Sequence, residues 1–198
     1  INNVANNNSN GIQLYYSLYN KLINNTANGN SENGINFFQN SKDNTLKNNI
    51  VSNNENGIQL DYLNWHNKIL NNMATNNKNG FLIKNSQHNI FINNTANKNS
   101  IGIIISENSV NNTLLEKGFF CFNQEYDYKS FGTGTFFNGT FFIDVIEGSY
   151  SGNPNLLSCY PYGDINLDLE INILDLILIN DFMLENKIPT ILEFNKGD

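Results

Sequence analysis

Residues 51–83 read Val51-Ser-Asn-Asn-Glu-Asn-Gly57-Ile-Gln-Leu60, Asp61-Tyr-Leu-Asn-Trp-His66-Asn67-Lys-Ile69-Leu70, Asn71-Asn-Met-Ala74-Thr-Asn-Asn-Lys-Asn79-Gly80, Phe81-Leu-Ile83. A Gly-apolar-x-apolar unit at Gly57 returns at Gly80. Reading outward, the same unit opens at Gly11, Gly34 and Gly102, so the intervals are 23, 23, 23 and 22 residues. Its apolar pairs are Ile12/Leu14, Ile35/Phe37, Ile58/Leu60, Phe81/Ile83 and Ile103/Ile105. An asparagine follows nine or ten positions after each glycine (Asn20, Asn44, Asn67, Asn89, Asn112), and an apolar residue two further on (Leu22, Leu46, Ile69, Phe91, Leu114). A small residue lies six or seven positions before each glycine: Ala5, Ala27, Val51, Ala74 and Ala96.

Short alternating apolar runs have a strand period rather than a helical one. Asn and Gly between them supply turns, since both tolerate left-handed backbone angles. Coils of this size stacked about 4.8 Å apart pair each strand with its neighbours above and below. Equivalent asparagines then form amide ladders, and several coils share a core that one coil cannot build. The expected fold is all-β: a parallel β-helix of about five 22–24-residue coils over residues 1–118.

Composition agrees and excludes some functions. Asparagine supplies 45 of the 198 residues, and arginine is absent. Residues 1–118 carry 8 Lys against 6 acids, while 119–198 carry 3 Lys against 12 acids. The near-neutral first part and acidic second part predict separate units. Neither is basic, so binding to nucleic acid lacks its main driving force. No apolar run reaches the roughly 18 residues of a membrane span. Two cysteines, Cys121 and Cys159, are too few for a disulfide scaffold, although they could pair in an oxidising compartment.

The repeated units resemble the right-handed parallel β-helix repeats of pectate lyase-like proteins, and of periplasmic proteins that help mature a copper enzyme. The resemblance covers about 60% of the chain by its matched residues, 1–118 of 198, and it speaks to fold rather than activity. Enzymes of this kind place charged residues on the outward face of one sheet. Here that face carries Gln13, Asn36, Gln59, Leu82 and Ile104 beside Tyr15, Phe38, Asp61, Lys84 and Ser106. A glycoside hydrolase needs paired carboxylates. The face offers one, Asp61, expected in an exposed ion pair with Lys84. Glu32 and Glu55, with Lys78 next, read as a solvated edge. Catalysis within these residues is not expected.

One outward column is Tyr19, Asp43, His66, His88 and Asn111. Asp43, His66 and His88 stack on successive rungs, and two imidazoles with a carboxylate could clip a transition metal. They could also be polar side chains at an exposed corner, which is the expected role. Trp65 and Tyr62 lie nearby and could stack on sugars.

After Gly118 the register stops. Residues 119–160 are rich in Phe, Gly, Thr and Tyr and read as strands, either closing coils or a linker unit. Residues 161–198 form the third region. Asp164, Asn166, Asp168, Asn172 and Asp175 place oxygen side chains at loop positions 1, 3, 5, 9 and 12, the spacing of a calcium loop. An apolar stretch to Leu184 follows and reads as an amphipathic helix ending before Pro189. The loop resembles the calcium-binding half of a dockerin. That resemblance implies Asp164, Asn166, Asp168, Glu170 (by its carbonyl), Asn172 (through water) and Asp175 as calcium ligands. Position 6 is Leu169, where the family has glycine. Gly197-Asp198 repeats Gly163-Asp164 after 34 residues, which suggests a duplicated loop cut short, in a fragment of a longer secreted protein.

The function expected from the sequence is a non-catalytic extracellular or cell-surface scaffold or carbohydrate-binding element, attached in calcium to a cohesin-like partner through the dockerin-like module. Calcium is the expected cofactor, and a transition metal is not. The alternative is a fragment of a secreted polysaccharide lyase or glycoside hydrolase whose active site lies outside it. Five sequons, at Asn7, Asn24, Asn93, Asn111 and Asn138, match the glycosylation pattern.

Overall fold

A computed structural model describes residues 1–157 and Cys159. Contacts divide the chain into a unit Ile1–Leu157 and a second, Ser158–Asp198. The first is a parallel β-solenoid of about six turns, and no helix occurs among the described residues. The first turn supplies β1 (Asn10–Tyr15), β2 (Lys21–Ile23) and β3 (Thr26–Asn28), and the second β4 (Asn33–Phe38), β5 (Thr45–Lys47) and β6 (Ile50–Ser52). The third supplies β7 (Asn56–Asp61), β8 (Lys68–Leu70) and β9 (Met73–Thr75), and the fourth β10 (Asn79–Lys84), β11 (Ile90–Ile92) and β12 (Thr95–Asn97). Then come β13 (Ile101–Ile105) with β14 (Thr113–Cys121), β15 (Tyr126–Ser130) with β16 (Phe136–Phe142), and β17 (Ile146–Gly148) with β18 (Ser151–Leu157).

The long strands stack as a seven-stranded sheet, β1-β4-β7-β10-β13-β15-β17. The short strands form two limbs of a larger sheet, β2-β5-β8-β11 and β3-β6-β9-β12, joined through β14. Every pairing is parallel and in register, as with Ile12↔Ile35 and Leu22↔Leu46. The coils therefore continue past the five read from the repeat, since β15 pairs with β13 and β16 with β14. The repeat fades near Gly118 because β14 crosses this corner with Glu116-Lys117-Gly118 in place of an Asn-Asn pair, Glu116 taking the left-handed position with φ of 64°. A Cβ at Gly118 would lie 2.5 Å from the Phe141 ring. The calcium-loop and helix expectation falls on 161–198, outside the described residues.

The predicted apolar registers are the core. Leu46, Val51, Ile58, Leu60, Ile69, Ala74, Phe81, Ile83, Ala96, Ile103 and Ile105 are fully enclosed, their alternation placing one side of each strand inward. Toward the last coils the core turns aromatic. Phe120 stacks on Phe141 at 6.4 Å, and Tyr128 meets Phe137 edge-on at 4.9 Å.

Three buried asparagine ladders fix the corners. In the first, the backbone N–H and Nδ2 of Asn44 both donate to Oδ1 of Asn67, at 3.0 and 3.1 Å. Asn67 does the same to Asn89, and Asn89 to Asn112. The second Nδ2 hydrogen goes to a carbonyl of the preceding coil, Asn44 to Ser17 and Asn67 to Ser41. Asn25, Asn49, Asn72 and Asn94 repeat the pattern at the next corner. Asn30, Asn54, Asn77, Asn99 and Asn123 repeat it at the third. Each amide thus satisfies its own buried polar atoms and the backbone of a corner that no strand pairs.

The register glycines serve a purpose the turn argument missed. None has a positive φ; left-handed corners are held by residues such as Asn24, Asn48, Asn71 and Asn93. Instead the chain passes too close for a side chain: a Cβ on Gly80 would lie 2.5 Å from the Gly102 carbonyl and 2.9 Å from the Ala96 methyl. The small residues Ala74 and Ala96 belong to the same close approach.

Candidate metal centre

Asp43, His66 and His88 lie in the turn between the long strand and the first limb. Each has a left-handed backbone, with φ of 55°, 56° and 53°, a region in which Asp, Asn and His are enriched among non-glycine residues. Each immediately precedes a ladder asparagine, Asn44, Asn67 or Asn89. The side chains therefore project to solvent from a corner whose inner side is anchored by hydrogen bonds. The Asp43 N–H donates to the Trp65 carbonyl at 3.2 Å, and the His88 N–H to the Val110 carbonyl at 3.2 Å.

His66 Nδ1 stands 3.9 Å from Asp43 Oδ1. That is too long for a hydrogen bond, but two metal–ligand bonds of about 2 Å each can span it. The His66 and His88 rings lie 5.7 Å apart and tilted by 40°. The His66 and Asp43 side chains are 59% and 39% exposed, so an ion can reach them. Tyr19 and Asn111, at the ends of the column, share its left-handed backbone. In the adjoining column Lys42, Trp65 and Gln87 are bridged, and Lys42 Nζ lies 4.5 Å from the Trp65 ring centre. The column thus gathers imidazole nitrogen and carboxylate oxygen, a donor set that suits Cu(II) or Zn(II) better than a hard cation.

Other charged clusters are committed to the fold. The predicted Asp61–Lys84 contact forms at 3.3 Å, but Asp61 is buried rather than exposed and also accepts from Gln59 at 3.2 Å. Lys78 meets Glu55 at 3.4 Å, and the Asn10 amide donates to Glu32 at 3.0 Å. Lys129 meets Glu147 at 2.9 Å. Hydrogen bonds from Lys129 and Tyr126 hold the Glu147 carboxyl below its ordinary range, and Glu147 in turn raises Lys129 and Tyr126. Asp127, buried at 2% exposure, accepts at Oδ1 from the backbone N–H and Nδ2 of Asn123, and at Oδ2 from the N–H groups of Asp144 and Val145. It terminates the third ladder. Sequence spacing does not reveal it, because its four donors come from two separate stretches of chain, Asn123 and Asp144–Val145. Cys121 and Cys159 are both disulfide-bonded, so neither offers a thiolate. Asp164, Asn166, Asp168, Glu170, Asn172 and Asp175 lie outside the described residues.

A family model described as periplasmic copper-binding protein (NosD) matches residues 1–154. Among curated proteins and among solved structures, nothing matches the chain. The match corrects the expected cofactor. Calcium was expected and a transition metal was not, whereas the family's description names copper. The physical difference lies in the donors: calcium takes oxygen ligands alone, while copper favours imidazole nitrogen, which the described residues supply at His66 and His88.

Proposed function

Since the chain belongs to the periplasmic copper-binding protein (NosD) family, we propose that it is a non-catalytic periplasmic β-solenoid that holds copper on the Asp43–His66–His88 column. The observation that carries the reading is the juxtaposition of these three side chains on consecutive rungs, at 3.9 and 5.7 Å. Copper is the cargo. The chain's part is to fix the donor spacing and leave the ion open to solvent, and buried ladders behind the column keep that spacing rigid. Disulfide-bonded cysteines suit a compartment outside the reducing cytosol. A scaffold role also fits the outward strand face, whose carboxylate Asp61 is held by Lys84 and Gln59.

Trp65, the single tryptophan, adjoins His66 and reports on the site. Cu(II) is expected to quench its fluorescence at one equivalent. His66→Asn and His88→Asn keep a residue suited to the left-handed backbone and should each weaken binding by at least about tenfold. Quenching that survives in the double variant would refute the column as the site.

A second reading draws on the aromatic row Tyr15–Phe38–Tyr62, in which Tyr15 stacks on Phe38 at 5.9 Å and Tyr62 meets Phe38 edge-on at 5.8 Å, with Tyr15 and Tyr62 both 53% exposed. It is a platform on which a sugar ring could lie. Retardation of the protein in polysaccharide-containing gels, lost in Tyr15→Ser/Tyr62→Ser, would support it; equal mobility would remove it.

A further inference from the structure

The charges of the solenoid are sorted between its surfaces. Strands of the larger sheet carry Lys21, Lys47, Lys68 and Lys117 against one acid, Glu116. The rest of residues 1–157 carries five lysines against nine acids. Four of those five lysines are engaged: Lys78, Lys84 and Lys129 with carboxylates, and Lys42 with the Trp65 ring. On the limb β2-β5-β8 the situation is reversed. Lys21, Lys47 and Lys68 are exposed and have no ion pair among the described residues.

Register places them close together. Lys21, Thr45 and Lys68 form one column, and Ile23, Lys47 and Leu70 the next. With rungs about 4.8 Å apart, three ammonium groups project from three consecutive rungs. Mutual repulsion makes the arrangement a cost to folding that no ion pair among the described residues offsets. The half-buried Ile23 and Leu70 lie among them, and across the corner Ile50 and Met73 are 46% and 45% exposed.

We propose that this limb docks on an anionic phospholipid bilayer. Charge complementarity selects the occupant. Unpaired lysines on long stems around modest apolar side chains suit an interface that takes cationic and apolar groups together. A bilayer asks for no matching shape, and the limb is a regular ladder of outward side chains. The inference is independent of copper binding but bears on it. Asp43 and His66 each stand two residues before a strand of this limb, so docking sets the metal column beside the membrane surface.

The test is co-sedimentation of the full chain with vesicles of phosphatidylcholine alone, or mixed with phosphatidylglycerol. Binding is expected only to the mixed vesicles, with release by salt. The variant Lys21→Gln/Lys47→Gln/Lys68→Gln should bind about a hundredfold more weakly, since each lysine near an anionic surface contributes roughly 1 kcal/mol. Its Tm should stay level or rise as the repulsion goes. Lys78→Gln/Lys98→Gln, away from this limb, should bind as the parent does. The proposal is overturned if the triple variant binds undiminished, if the parent binds neither vesicle, or if the lysines bind an acidic protein while vesicles are ignored.

Discussion

Replacing Asn67 with alanine is expected to lower the unfolding free energy by on the order of 4 kcal/mol, a large share of the 5–15 kcal/mol typical of a folded domain. Asn67 is fully buried. Its Oδ1 accepts from both the backbone N–H and the Nδ2 of Asn44, and its Nδ2 donates to the Ser41 carbonyl and to Asn89 Oδ1. Truncation strands these partners inside the corner, where each unsatisfied polar group costs about 1–3 kcal/mol. Urea unfolding followed by far-ultraviolet circular dichroism measures the loss. Asn67→Asp retains the acceptor but aims a second carboxylate oxygen at Asn89 Oδ1, so it should not rescue. A loss below about 1 kcal/mol for Asn67→Ala would mean that water fills the corner and that the ladder is incidental.

Asp127→Ala should be comparably damaging, by about 3–5 kcal/mol, because removing the buried carboxylate leaves its N–H donors without an acceptor. Four N–H groups converge on its carboxylate, at 2.8–3.3 Å. The informative companion is Asp127→Asn. It preserves the shape but must turn an NH2 group toward two N–H donors, so it should recover little. Thermal melts of the three proteins rank them. Near-parental stability of Asp127→Asn would show that shape rather than charge closes the ladder.

The fold was legible because its signal is redundant: each apolar register recurs in five coils, and inward alternation fixes which side is buried. The ladder through Asn44, Asn67 and Asn89 was legible for the same reason. The ladders at Asn49 and Asn54 were not, because in a chain this rich in asparagine the buried and exposed copies look alike. Asn48 and Asn49 are neighbours, one left-handed and exposed, the other enclosed. Several sequons follow from this pairing. Asn24, Asn93 and Asn111 are the outer residues of such corners, each followed by a buried ladder asparagine and then a strand-opening threonine. The metal column was visible as a spacing, but its polar residues also suit a left-handed corner, and spacing alone could not separate the two roles. Burial of Asp61 was invisible because it depends on side chains from adjacent coils, Lys84 among them.

The ladders run one way. Each ladder amide presents its oxygen to the coil before, and each one short of the ladder's end gives a hydrogen to the coil after, so the side-chain dipoles add along the solenoid axis as peptide dipoles add along a helix. The third ladder accordingly ends its hydrogen-bearing side on the carboxylate of Asp127, a negative charge at a positive pole. Such a rod has a head and a tail. A further coil, or a second solenoid, can prolong its ladders only head to tail, because two like ends would bring donor against donor or acceptor against acceptor.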